Sequence, residues 1–139
     1  MNHDFVTRLL DADALLAIAP LLSLAAGIVL LLLADVLTGL GMLRRPIFLV
    51  TLAFAAAFEI RLLNTAPYLA FERSFIAGPT SSAWGLLFLS SALIAWSFAQ
   101  KYYREESAFQ LEHDVLLLSS TAGMMLMAGA QDLLVFFVG

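Results

Sequence analysis

Residues 112–139 read EHDVLLLSSTAGMMLMAGAQDLLVFFVG. A charged start, Glu112, His113 and Asp114, gives way to an uncharged run from Val115 to Ala130. The polar pair Gln131 and Asp132 follows, then a second apolar run up to Gly139. A helix needs roughly 20 apolar residues to cross a hydrocarbon core of about 30 Å. With Phe109 and Leu111 counted, the run that ends at Ala130 reaches that length, so a membrane span is predicted over about 109–130. Asp132 then stands at an N-cap position, its carboxylate placed to accept from the free N–H groups of a turn starting at Leu133. The pattern is one span, a tight turn and the start of another helix.

The rest of the chain has the same character. Its 139 residues are 62% hydrophobic and 13% charged, with a mean hydropathy of +0.93, against an apolar share of about 45–50% in soluble domains. So much apolar surface cannot be hidden in a water-soluble fold of this size. The net charge of −4 and the lack of a Lys/Arg cluster argue against nucleic acid as a partner and leave the lipid bilayer as the expected surroundings. With no cysteine and two isolated histidines, His3 and His113, the sequence offers no disulfide, thiol chemistry or metal site. The N-terminus, MNHDFVTRLLDADALL, carries Asp4, Asp11 and Asp13 against Arg8, the wrong charge for a secretory signal. Phe5, Val6, Leu9 and Leu10 share one helical face, which suggests an interfacial stretch over residues 4–11.

The fold class predicted is all-α: a polytopic membrane helix bundle, one membrane domain over 1–139, with spans at about 14–37, 46–63, 83–100 and 109–130 and the start of a fifth helix at 133. Pro20 is expected near the start of the first span, where a helix loses few hydrogen bonds. Asp35 is expected at its far end as an interfacial carboxylate. Gly39 and Gly41 break a short loop in which Arg44 and Arg45 form an anchor pair before Pro46. In the second span, Ala53 and Ala57 have the spacing that lets membrane helices approach closely. Glu59 lies about 21 Å along that helix from Arg45 and has two readings. In one it reaches the far interface together with Arg61; in the other it faces a polar cavity in the outer hydrocarbon and is a candidate for a proton path.

Residues 64–82, with Pro67, Gly78 and Pro79, suggest an ordered irregular loop on the membrane surface, edged by Tyr68, Phe71, Phe75 and Trp84. In the third span, Ser90, Ser91 and Ala95 suit a packed interior face, and Trp96, Tyr102 and Tyr103 an aromatic belt. Residues 100–114 form the most charged stretch and are expected to be a hydrated loop. Lys and Arg number four on one side and three on the other, which slightly favours an external N-terminus.

The string GMMLMAGAQDLLVFFVG, residues 123–139, resembles the fourth helix, turn and start of the fifth helix in subunit N of bacterial NADH-quinone oxidoreductase, an antiporter-like membrane subunit. A weaker likeness covers IAPLLSLAAGIVLLLL, residues 18–33. The resemblance implies a multi-pass subunit of the bacterial inner membrane with a periplasmic N-terminus. It would pack against other membrane subunits of a respiratory complex and take part in proton translocation driven by electron transfer from NADH to quinone. NADH, quinone and the iron–sulfur and flavin centres would be bound by other subunits, and no cofactor by this chain. In the family a glutamate of the fifth helix closely follows the glycine that aligns with Gly139, so no family proton-path residue maps onto a position here. The matched residues, Gly123, Met124, Met125, Gly129 and Asp132, are turn and packing residues, and Ser119 with Gly123 makes another small-residue pair.

No nucleophile–base set, phosphate loop, dinucleotide fingerprint or metal spacing is present, so no catalytic residue is predicted. A helix from Leu133 would place the carboxylate of Gly139 about 10 Å into the bilayer, so a longer polypeptide is expected. Two other readings fit the same pattern. One is a subunit of a cation/proton antiporter or membrane-bound hydrogenase. The other is a small non-catalytic scaffold or assembly protein, in which a single helix would run from about Val115 to Val138 without a turn.

Overall fold

The computed structural model describes residues 12–38, 43–70, 75–102, 107–130 and 137–139. Its main elements are four long helices, α1 (Ala12–Thr38), α2 (Arg44–Leu63), α3 (Pro79–Tyr102) and α4 (Ser107–Gly129). Neighbours pack in a closed ring, α1 on α2, α2 on α3, α3 on α4 and α4 on α1. Short connections force successive helices to run antiparallel, so the bundle is up-down-up-down. Between α2 and α3 lie β1 (Tyr68–Ala70) and β2 (Phe75–Ala77), an antiparallel pair in which Leu69 faces Ile76. The connection expected to be irregular thus holds a two-stranded ribbon that leans on α1, α3 and α4 at one end of the bundle. The opposite end carries the α1–α2 and α3–α4 connections.

The buried residues recur at alternating three- and four-residue steps. On α1 they are Ala17, Pro20, Leu24, Gly27 and Leu31; on α3, Ser82, Gly85, Leu89, Ala92 and Trp96; on α4, Asp114, Leu118, Thr121 and Met125. That period produces the shallow left-handed crossing of membrane and coiled-coil bundles. Glycine, alanine, serine, threonine and charged residues share the interior with leucines, Phe48 and Trp96, whereas Val36 is 81% exposed and Phe98 75%. Large apolar side chains on the outside as well as inside suit a bundle surrounded by lipid. Stretches of α1 (Leu15–Leu37), α2 (Arg44–Leu63) and α3 (Pro79–Gln100) are long and apolar enough to cross a membrane. The chain is a multi-pass membrane protein. Helix α4 has a comparable length, but Glu112, His113 and Asp114 in its first turns keep it out of that class.

Several sequence-based expectations need correcting. Helix α1 begins at Ala12, so Pro20 lies well inside it and leaves the carbonyl of Leu16 without its helical donor. Helix α3 begins at Pro79, four residues before the expected start. Gly78 caps it: the Ser82 N–H donates to its carbonyl at 3.0 Å, and its own N–H donates to Ser81 Oγ at 3.2 Å. Proline at the first helical position needs no donor, which explains the early start. Ser90, Ser91 and Ala95 point outward, not inward. The two serine hydroxyls donate to the carbonyls of Leu87 and Phe88, both at 2.8 Å, and so face lipid already satisfied. Trp96 is not part of a belt; it is buried and stacks on Phe48 at 5.0 Å. Ala53 and Ala57 also face outward. The close approach of α1 and α2 is made by Gly27, where any Cβ would collide with the side chain of Thr51.

Helix α4 ends at Gly129, itself buried, with the Ala130 N–H donating to Met127 O at 3.2 Å. A continuous helix would carry Gly139 about 24 Å beyond Gly123. Instead the two glycines touch: a Cβ on Gly123 would come within 2.6 Å of the Gly139 carbonyl oxygen. The single unbroken helix over 115–138 is therefore excluded. The turn at Gln131 and Asp132 and the helix start at Leu133 lie outside the described residues, as do the stretch over 4–11 and the side chains of Tyr68, Phe71, Phe75, Lys101, Tyr102, Tyr103 and Arg104.

Candidate functional site

Two buried polar sites occupy opposite ends of the bundle. At the ribbon end, Glu59 is 6% exposed, one turn from the end of α2. It occupies the interior stripe because it follows Ala55 by four residues and precedes Leu62 by three, both of which are buried. Glu59 is thus inside the bundle, while Arg61, two residues on, is exposed.

Room for the carboxylate comes from α3. A Cβ on Gly85 would lie 2.7 Å from Glu59 Oε1, so a larger residue there would have to push the carboxylate aside. Ser82, one turn earlier and 1% exposed, is the polar side chain set against the same carboxylate. Beside them is a pocket of about 10 Å³ lined by Ala17, Pro20, Glu59, Ser81 and Met125, among others. A single water needs about that much room, and two to four polar partners. The space beside Glu59 is confined and water-sized. No group of acidic or histidine residues among the described ones is placed to hold a metal ion.

The second site was missed by sequence reading. Arg44 and Asp114, expected in loops, are interior residues of α2 and α4, and Asp114 is only 2% exposed. Arg44 Nε lies 3.7 Å from Asp35 Oδ1 at the end of α1. The Asp114 carboxylate faces His113, Arg44 and Trp96, with His113 Nδ1 at 3.7 Å from Oδ1. All four helices thus contribute to one cluster, and Asp35 is half-buried in it. The available signal was the phase of the buried stripe: Asp114, Leu118, Thr121 and Met125 fall in a single register. Charge density obscured it, because a cluster of charged residues resembles a hydrated loop.

The turn and packing residues are partly placed. Met125 is buried in the core, Met124 is exposed, and Gly123 is the contact point for Gly139. Asp132 lies outside the described residues.

Subunit N of NADH-quinone oxidoreductase from Ruthia magnifica is 25% identical over 131 residues, 93% of this chain. The Thiobacillus denitrificans protein of the same name is 32% identical over 122 residues, 86% of the chain. The chain resembles part of NADH-quinone oxidoreductase subunit N. Resemblance to subunit N extends across the four helices, well beyond the two strings that suggested it. NAD(P)H-quinone oxidoreductase subunit 2 of Synechococcus is 38% identical over 68 residues, 49% of the chain. The chain spans about a quarter of the length of the first two relatives, 27% and 25%. No family model and no solved structure matches.

Proposed function

We propose that this chain is part of a membrane subunit of a proton-translocating NADH-quinone oxidoreductase, with other membrane subunits of that complex as its partners. The observation that carries the reading is the similarity to subunit N over 93% of the chain. The lipid-facing exterior of the bundle supports it. NADH, quinone and the redox centres belong to other subunits in this reading, and no residue of this chain does redox chemistry. The membrane is the bacterial inner membrane and the N-terminus is periplasmic. Helix α4 is the fourth span, with Asp114 of its first turns inside the bundle. Glu59 serves the proton path: an ionisable group inside a membrane bundle is costly to keep, and one beside a water-sized pocket is placed to exchange a proton with that water.

Affinity purification of the tagged chain in mild detergent, followed by native electrophoresis and in-gel NADH oxidation, tests the assignment. The chain should migrate in a large species that oxidises NADH. Migration only as a small species without that activity would overturn it. In membrane vesicles energised with NADH, Glu59→Gln should lower proton uptake per NADH oxidised. An unchanged ratio would remove Glu59 from the path.

A further inference from the structure

We propose that one water, hydrogen-bonded to both the Glu59 carboxyl and Ser81 Oγ, links Glu59 to the aqueous phase at the ribbon end of the bundle, with Ser81 as the residue that positions it. The purpose of this link rests on the proton-path reading of Glu59; its geometry does not.

The space beside Glu59, about 10 Å³, is close to what one water occupies and too small for a second. Its walls include Ala17, Pro20, Ala77 and Met125, and the polar side chains that line it are Glu59 and Ser81. What these two can still accept decides the occupant. The Ser81 hydroxyl donates to the Gly78 carbonyl at 3.0 Å, and its oxygen accepts from the Gly78 N–H at 3.2 Å, which leaves that oxygen one lone pair. An ionised Glu59 offers acceptors alone. Both ends of the space therefore call for a donor. Water supplies two O–H groups and meets both, whereas an anion meets neither. When Glu59 is protonated, its own O–H donates to the water oxygen instead, so the link persists in both charge states and can pass a proton.

The direction of the link follows from burial. Ser81 stands in the first turn of α3 and is half-buried, so it borders the space on one side and reaches the surface on the other. Ala77 of the ribbon is 1% exposed and closes the way beside it. Toward the Arg44 end the interior is packed with Leu24, Phe48, Leu52, Leu89 and Leu118. Thr51 and Thr121, also buried there, donate their hydroxyls to the carbonyls of Ile47 and Leu117 on their own helices, at 2.8 and 2.7 Å. Among the described residues, Glu59 thus has a polar exit toward the ribbon and an apolar layer behind it.

The test uses the full chain in phosphatidylcholine bilayers, with glutamate labelled at the side-chain carboxyl carbon. Solid-state NMR reads the transfer of magnetisation from water to each carboxyl, and the Glu59 signal is assigned by its loss in Glu59→Gln. The parent should show transfer to Glu59. Ser81→Ala removes one partner of the water, and Ala17→Val fills the space with two methyl groups while leaving Ser81 and its bonds to Gly78 in place. Each should lower the transfer several-fold, and if one variant fails to fold the other decides. Ser81→Thr keeps the hydroxyl and should keep the transfer. No transfer in the parent would overturn the proposal. Transfer retained in Ser81→Ala or Ala17→Val would mean that water reaches Glu59 from another side, and would overturn it too. Loss in Ser81→Thr would assign the effect to the start of α3 instead of the hydroxyl, and loss when sodium replaces potassium would assign the space to a metal cation; either result overturns the water link. Transfer is read without NADH or a partner subunit, so failure of the respiratory assignment would leave this result standing.

Discussion

At the ribbon end, Glu59 is buried against Ser82 and the bare backbone of Gly85, with no cation facing it among the described residues. At the other end, Asp114 is equally buried but shares its surroundings with Arg44, Asp35, His113 and Trp96. The first carboxylate faces one serine and a glycine backbone, with no charged partner among the described residues. The second belongs to a cluster that joins all four helices, and removing one member exposes the rest to an unbalanced interior.

The comparison can be broken most sharply at Arg44. Arg44→Gln leaves Asp35 and Asp114 without their shared cation and should cost about 3–5 kcal/mol, as for other broken buried pairs. Reversible unfolding in mixed micelles measures it; a loss below about 1 kcal/mol would mean that the cluster is not load-sharing. Next in size is Gly85→Ala, where the added Cβ must displace the Glu59 carboxylate. A cost of about 1–3 kcal/mol is expected, as for overpacking. The double variant Gly85→Ala with Glu59→Ala should recover most of it, and additivity of the two changes would show that Gly85 is not there for Glu59.

Glu59→Gln comes third and sharpens the contrast between the ends. Replacing a buried carboxyl, which faces no cation among the described residues, by an amide of nearly the same shape should change unfolding stability by no more than about 1 kcal/mol, in either direction. A loss as large as that of Arg44→Gln would make the two ends alike. Smallest of all is Ala53→Leu on the lipid face, expected within about 0.5 kcal/mol of the parent by the same unfolding measurement. A larger effect would put Ala53 at an interface after all.

The reading of the sequence was most successful where length and hydropathy suffice. All four helices form within a few residues of the predicted ranges, the main exception being the start of α3. There Gly78 and Pro79 were read as loop residues, although glycine as cap followed by proline at the first helical position also starts a helix. Rotational phase was much less legible. In a soluble helix the hydrophobic stripe marks the buried face, but here nearly every position is apolar and both faces look alike. Small-residue pairs such as Ala53 and Ala57, or Ser90 with Ser91, were therefore assigned inward, and the structure turns them to the outside.

What the sequence by itself determined was that this chain crosses a membrane as a set of helices, because uninterrupted apolar runs of that length admit no other satisfied backbone. It also determined a likeness to subunit N through the order of residues in 123–139. Only the tertiary structure decided which charges lie inside. The pair Asp35 and Arg44 and the pair His113 and Asp114 are far apart in sequence and come together because the ring of four antiparallel helices brings their ends to one level. Glu59 is interior because of its phase relative to Ala55 and Leu62 and because glycine at position 85 of a neighbouring helix leaves it room. The phase is written along one helix, but which phase faces inward, and the space left by the neighbouring helix, are set only when the helices pack.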